Sequence, residues 1–456
     1  MSFYLLPRTP LFVYKQIQYE PCEPNEIPTN IISQSLCHYL YNIKEKITIR
    51  EKQWDIFKKY TNPYEYIHST VPSKNKSVSK YKPISRSYFK MVELVHLFNI
   101  HFREPIHTFH LAEGPGGFIE AIANMRKCKD DIYIGMTLLD ENKNDTNIPA
   151  WKKSDMFLKT NPNIFLENGA DHTGNILSFE NFEYIAKKYP SKMDLITADG
   201  GFDFSLDFNQ QEIFIGKLLF AQIAFALCLQ KHRGKFILKI FDCFMQHTVD
   251  LLYILSYFYE KVYITKPNTS RYANSEKYIV CIGFLHTNHT DFYPYLQSAF
   301  KNMANSDVSN PRRFLHDITV KWGTVSEIPV SYELYDTITT NISHYFIKKL
   351  EEYNAIFGQK QIQNIHYTLS MIDTKSKYDK IESLIKTNVQ KSIDWCIKYN
   401  VPYNILNSTT NIFLQYQTHE SVHYPENPIV DLHSADLHSV DLHSVDLHSI
   451  NKSFFT

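Results

Sequence analysis

The chain has 456 residues, 43% of them apolar, enough to bury one large core and leave length for additions at both ends. Lys plus Arg and Asp plus Glu balance at 48 each, which excludes a global basic field, so any nucleic-acid contact has to come from a local patch. The 7 cysteines stand singly with no C-x-x-C pair and no framework spacing, which disfavours a zinc site and fits a reducing compartment with buried thiols.

In chain order, residues 1–80 read as a polar, aromatic, Pro-punctuated N-terminal extension with a helical stretch over 32–58 and a Lys/Ser-rich flexible loop over 72–82. Pro7, Arg8 and Pro10 interrupt the place where a signal peptide needs an unbroken apolar core. Residues 81–300 alternate short β-rich runs with longer helical patterns, the mark of a doubly wound α/β domain. Strands are expected over 106–111, 132–138, 193–198, 235–240, 262–266 and 278–284. A long helix is expected over 209–233, opened by Asn209 and Glu212, closed by Lys231, His232 and Arg233, and stopped by Gly234. Its apolar run over 213–229 contains Lys217 and Gln222 and falls short of a bilayer span, so a soluble intracellular protein of the nucleus or cytoplasm, with no membrane partner, is expected. Residues 301–425 return to helical patterning, including 345–357 and 377–399, without a catalytic signature. Within 426–456 the unit Asp-Leu-His-Ser-(Ala/Val) repeats over 430–449; its period suits neither helix nor strand, and a disordered tail is expected rather than a histidine metal site.

Four stretches carry chemistry. His110 to Phe118 places Glu113-Gly114-Pro115-Gly116-Gly117 between a strand and a helix, where backbone N–H groups approach a nucleotide-like ligand. Alone, such a run is as often an ordinary turn. Its spacing departs from G-x-G-x-x-G and no phosphate-gripping Lys follows, which disfavours a dehydrogenase or an NTPase. Ile196 to Phe202 is an apolar strand ending in Asp199-Gly200-Gly201, a carboxylate at the crevice of an open sheet, or otherwise a turn cap. Lys239 stands inside an apolar strand; lysine is expensive to bury without a partner, although its stem can pack while its head reaches water. Thr269 to Tyr278 is a polar loop that puts Glu276 at the start of the last strand, where read singly it would be a routine surface carboxylate.

In this order and at these separations, the stretches resemble the FtsJ-like ribose 2'-O-methyltransferases, most closely the Adrift-type cap-specific mRNA methyltransferases of animals and large DNA viruses. The resemblance runs from about Asn62 to Gly283 through Asn62-Pro63-Tyr64-Glu65, Ser85-Arg86-Ser87-Tyr88-Phe89-Lys90-Met91, the Gly114-Pro115-Gly116-Gly117-Phe118 loop, Gly135-Met136-Thr137-Leu138, Ala198 to Phe202, Lys239 with Phe241-Asp242, and Thr269-Ser270-Arg271 with Ala273-Asn274-Ser275-Glu276. It implies a Rossmann-like methyltransferase sheet with N-terminal and helical C-terminal extensions. It also implies S-adenosylmethionine as cofactor, no metal, and a catalytic tetrad of Lys90, Asp199, Lys239 and Glu276. In that set Lys239 accepts the proton of the ribose hydroxyl or steers the hydroxyl as a cation, while Lys90, Asp199 and Glu276 shape its charge and orientation.

The same resemblance assigns Ala112, Glu113, Gly114, Pro115, Gly116, Gly117, Phe118 and Asp199 to the cofactor. It also assigns Asn175, standing where the family usually offers an Asp to adenine, and gives Lys58, Asn209, Gln210, Gln211 and Asn274 to RNA. The insertion over 140–156 and the stretch between Glu65 and Ser85 depart from the family spacing. The implied substrate is the capped 5' end of mRNA, with capping or transcription machinery as partners. Internal ribosomal or transfer RNA riboses, or a catalytically silent RNA-binding subunit, stand as alternatives. Abundant Lys, Asn and Ile fit an AT-rich genome such as that of a large DNA virus, where the location would be a virion or viral factory.

Overall fold

The apolar runs fall where strands must be covered on both faces, and the computed structural model places them at the centre of a single large sheet. It describes all residues except 1, 10, 11, 24, 25, 27, 29, 30, 73, 141–147, 149, 202–208, 308, 309, 316–341, 375–377 and 407–456. The tail expected to be disordered, Phe202 and part of the 140–156 insertion therefore lie outside the described residues.

By its contacts the chain divides into two units, Met1–Thr61 with Pro83–Lys375, and Asn62–Lys82 with Ser376–Thr456. In chain order the first contains β1 (Phe3–Leu5), β2 (Ile17–Pro21), α1 (Gln34–Thr48), α2 (Glu51–Thr61), α3 (Ser87–Leu97), β3 (His107–Leu111), α4 (Gly117–Arg126), β4 (Ile132–Met136), α5 (Asp155–Thr160) and β5 (Ile164–Leu166). It continues with α6 (Phe179–Lys188), β6 (Met193–Ala198), α7 (Gln211–Leu229), β7 (Gln230–Ile240), α8 (Gln246–Phe258), β8 (Tyr259–Thr265), β9 (Lys277–Phe284), α9 (Tyr293–Ala304), β10 (Pro311–Leu315) and α10 (His344–Asp373). The second contains α11 (Tyr378–Lys398).

The sheet order is β1-β8-β9-β7-β6-β3-β4-β5. Strands β7, β6, β3, β4 and β5 are mutually parallel, whereas β9 runs antiparallel to both β7 and β8, and β1 antiparallel to β8. Because the order reverses between β3 and β6, right-handed crossovers put α4 on one face and α6, α7 and α8 on the other. The crevice for a ligand therefore opens at the carboxyl ends of β3 and β6. Helix α7 is apolar all round because it is walled in, by the sheet on one side and by α6, α8, α9 and β10 on the other. It is long and apolar enough to cross a membrane by length and composition, yet 89% of that stretch is buried within the fold.

Several expectations change here. The helix expected over 209–233 ends at Leu229, and its supposed last turn is the start of β7. The buried Gln230 causes the switch: its amide donates to the Met193 carbonyl at 2.7 Å and its oxygen accepts from the Tyr259 hydroxyl at 3.0 Å, pinning the chain into the sheet. The N-terminal residues do more than decorate the core, since Phe3 to Leu5 form its edge strand. The helix expected over 345–357 runs on to Asp373. Its buried face includes polar Asn354 and Gln361, which hid the amphipathic period and whose amides donate to the carbonyls of Cys243 and Ala273 at 2.7 and 3.1 Å. In the second unit, the stretch over 72–82 is a loop but a fastened one. Val78 is fully buried, Ser79 pairs with Tyr403, and the Lys80 N–H donates to the Pro402 carbonyl.

Candidate active site

The end of β3 sets the geometry of the glycine loop. Ala112 adopts a left-handed φ of 51°, turning the chain back so that Glu113 lies beneath the start of α4. There Glu113 Oε1 accepts the Phe118 and Ile119 N–H groups at 2.7 and 3.1 Å, satisfying helix donors that would otherwise be orphaned. The Gly114–Pro115 peptide is cis, and the Pro115 carbonyl accepts from the Ser154 hydroxyl. Gly117 is required by close approach: a Cβ there would lie 2.2 Å from Ser87 Oγ at the start of α3. Phe118 is fully buried, its ring 6.0 Å from that of Tyr278, so it faces the core.

The tetrad residues meet at the carboxyl edge of the sheet as two ion pairs. Lys239, near the end of β7, donates to the Asp199 carbonyl at 2.5 Å and lies 3.3 Å from Asp199 Oδ1. Gly201 makes room for it, since a Cβ at that position would sit 3.2 Å from Lys239 Nζ. Lys90, in the first turn of α3, donates to Glu276 Oε2 at 2.8 Å. Because β9 is antiparallel, the start of that strand lies at the same edge as the ends of the others, which brings Glu276 beside Lys239. Burial pushes the Glu276 carboxyl upward, but Lys90, Lys239 and Lys266 together outweigh it and hold the group well below the usual carboxylate range. It is an anion at any physiological pH, and its Oε1 has no hydrogen-bond partner among the described residues.

Tyr278, Glu93 and Lys266 had no role assigned to them from the sequence. Tyr278, opposite Lys239 in the β7–β9 register, donates its hydroxyl to Asp199 Oδ1 at 2.9 Å. Burial, with Asp199 beside it, pushes that phenol well above its ordinary value, so it stays a donor. Glu93, one turn after Lys90 and fully buried, accepts from both the N–H and the hydroxyl of Thr269 at 2.9 Å each, while Arg86 donates to the Thr269 carbonyl at 2.7 Å. Lys266 donates to Asn274 Oδ1, to the Asn274 carbonyl and to the Glu276 carbonyl. The loop before β9 is thereby fastened to the helix that carries Lys90. Only the identity of Lys90 and Glu276 as partners could have pointed to it.

The residues assigned to RNA are placed unevenly. Gln211 accepts from the Ser275 hydroxyl at 2.8 Å, which puts the start of α7 against the tetrad loop, and Asn274 lies on that loop. Asn209 and Gln210 are half-buried just ahead of α7. Lys58 is on α2, ion-paired with Asp55. Asn175 lies on the β5–α6 connection, but its side-chain oxygen already accepts the Leu177 N–H at 2.9 Å. Glu65, the anchor of the Asn62 to Glu65 element, is fully buried in the second unit and binds Asn62 and Ser69, a packing role rather than an open surface.

A cofactor with a cationic centre suits this crevice. Glu113 is 4% exposed and its Oε2 has no partner among the described residues, an uncompensated buried acid at the point where the family resemblance places the methionine moiety.

The chain is similar to several known proteins. A Drosophila melanogaster protein named cap-specific mRNA (nucleoside-2'-O-)-methyltransferase 2 is 29% identical over 239 residues, covering 50% of this chain and 34% of the relative. A Trypanosoma cruzi protein named cap-specific mRNA (nucleoside-2'-O-)-methyltransferase 1 is 38% identical over 180 residues, 38% of this chain and 47% of the relative. The chain thus spans less than half the length of these curated relatives. A solved Plasmodium falciparum structure described as a putative ribosomal RNA methyltransferase aligns with a TM-score of 0.32 at 21% identity, covering 44% of this chain and 98% of that one. The family model described as FtsJ-like methyltransferase matches residues 83–284, from just before α3 to the end of β9, the span that holds both ion pairs and the glycine loop.

Proposed function

We propose that the protein methylates the ribose 2'-oxygen of the first transcribed nucleotide of capped mRNA, using S-adenosylmethionine. The observation that carries the reading is the convergence of Lys90, Asp199, Lys239 and Glu276 as two ion pairs beside the glycine loop. When bound, the cofactor supplies an electrophilic methyl group, so the protein has to orient a weak nucleophile and assist loss of its proton. Lys239 is the residue at the reacting oxygen. Asp199 holds its ammonium from one side through both carbonyl and carboxylate, and Tyr278 fixes Asp199 in turn. Glu276 and Lys90 set the field around it, and the unpartnered Glu276 Oε1 is available to a ribose hydroxyl. Asn274 and Gln211 border the loop along which RNA would lie.

Labelled methyl transfer to short RNAs with an N7-methylated cap, compared with uncapped RNAs and with ones already methylated at the first 2'-oxygen, tests this reading. Label on the capped, unmethylated RNA alone is expected. Equal label on all three would move the target to an internal ribose, and none on any would leave an RNA-binding subunit.

The fastening of α3 to the loop before β9 yields a second expectation. Replacing Glu93 with Gln keeps the shape but removes a charge-assisted bond, and turnover should fall about tenfold, the kinetic equivalent of ~1.4 kcal/mol, with cofactor and RNA affinities little changed. Thr269→Ser, which keeps both donors, should retain activity. A Glu93→Gln enzyme with normal turnover would show that Lys90 and Glu276 hold their geometry unaided.

A further inference from the structure

The buried Glu113 has no use in the methyl-transfer steps, yet it is costly to keep. Its Oε1 is consumed by the start of α4, while Oε2 has no partner among the described residues at 4% exposure. Two amide donors on one oxygen do not compensate a whole carboxylate out of water, so the protein carries an unbalanced acid behind the glycine loop. The charged groups facing it are Asp199, at the end of β6, and Lys239, on β7; these two are themselves paired, so little of the Lys239 charge is left for Glu113.

We infer that Glu113 is the buried carboxyl that becomes the counter-anion when this site takes a cationic ligand, the sulfonium or the ammonium centre of its cofactor, and that ligand entry completes the Oε2 hydrogen bonding or charge balance. The inference rests on the cofactor reading given above and adds its charge recognition. In the ligand-free protein burial pushes the Glu113 carboxyl up to about 8; the Ile119 and Phe118 amides and Lys239 pull against that, and Asp199 adds to it. At neutral pH the group is therefore mostly protonated. A cation arriving beside it favours the carboxylate, so the proton leaves Glu113 Oε2 for solvent as the ligand binds. The consequence is a site that grips a charged ligand more firmly than one lacking the charge; where the sulfonium is the partner, this biases the site toward exchanging spent cofactor for fresh.

Calorimetry on the full chain between pH 6 and 7, in buffers of different ionisation enthalpy, tests this without reference to turnover. In that window the α-amino group of the ligand keeps its own proton, since such amines ordinarily titrate near 7.7–8.0. Binding of S-adenosylmethionine should release about one proton, and affinity should rise by about tenfold per pH unit. Glu113→Gln, whose amide oxygen can still accept from α4, should abolish both effects. Release with S-adenosylhomocysteine as well assigns the ammonium as the partner, and release with S-adenosylmethionine alone assigns the sulfonium; either supports the inference. Binding without proton release, or release that persists in Glu113→Gln, overturns it while leaving the cofactor reading intact. Should that variant not fold, a flat affinity profile for the unaltered protein across pH 6 to 7 overturns the inference by itself. Failure to bind either compound removes the cofactor reading and the inference together.

Discussion

Lys239→Ala should lower methyl-transfer turnover by about 10²–10⁴-fold, the range over which a positioned proton-transfer group contributes, while cofactor affinity stays within a few-fold of normal. The separation of the two effects follows from where the side chain ends. Its ammonium touches Asp199 and, among the described residues, makes no hydrogen bond to the glycine loop. Loss of the ammonium leaves Asp199 held by Tyr278, so the carboxylate keeps its place. Lys239→Met, which preserves the stem packed in β7, separates charge from packing and should be equally inactive. Single-turnover rates with capped RNA measure the first effect and equilibrium binding the second; undiminished turnover in either variant would remove Lys239 from the mechanism.

Asp242→Ala should destabilise the domain by about 3–5 kcal/mol, the cost of breaking a buried ion pair and stranding its partner. Asp242 lies two residues past the end of β7 and is 5% exposed, with Lys44 of α1 at 2.9 Å and Lys277 of β9 at 3.5 Å, both side chains 5% exposed. Burial alone would push its carboxyl up, but the two ammonium groups outweigh it and the folded value is lowered. The stability this confers is therefore complete above the ordinary Asp value of about 3.9 and is lost as pH falls through the depressed folded value. Urea unfolding at neutral pH should show the full loss, and in the variant the fall in stability toward acid pH should be shallower. A neutral-pH loss under about 1 kcal/mol, the scale of exposed pairs, would mean that both lysines reach water once the carboxylate is gone.

What could be read from the sequence follows burial. Strands β6 and β9 are buried almost throughout and appear as largely apolar runs, so their positions were legible almost to the residue. Strand β1, three residues long, and β5, with Phe165 and Leu166 exposed, carry no alternation to detect. The first turn of the supposed helix end, Lys231 to Arg233, misled because a strand leaving the sheet into solvent has the same charged composition as a helix terminus. Resemblance alone singled out Lys90, Asp199, Lys239 and Glu276 together, since they lie on separate elements and nothing local in the sequence connects their two ion pairs. Glu93, Lys266 and Tyr278 stayed hidden because each looks ordinary in its own segment and acquires a role only when α3 and the loop before β9 meet.

The pairing of the first strand also has a price in time. The Thr265 hydroxyl donates to the Ser2 carbonyl across 263 residues of sequence, and the whole of β1 pairs with β8 alone. At translation rates of about 5–20 residues per second, a nascent Phe3-Tyr4-Leu5 segment waits roughly 10–50 s for its partner to leave the ribosome. During that interval it is an unpaired apolar edge of the kind that recruits other chains. Slowing synthesis between the codons for β1 and β8 should therefore lower soluble yield, whereas slowing it after β9 should have little effect.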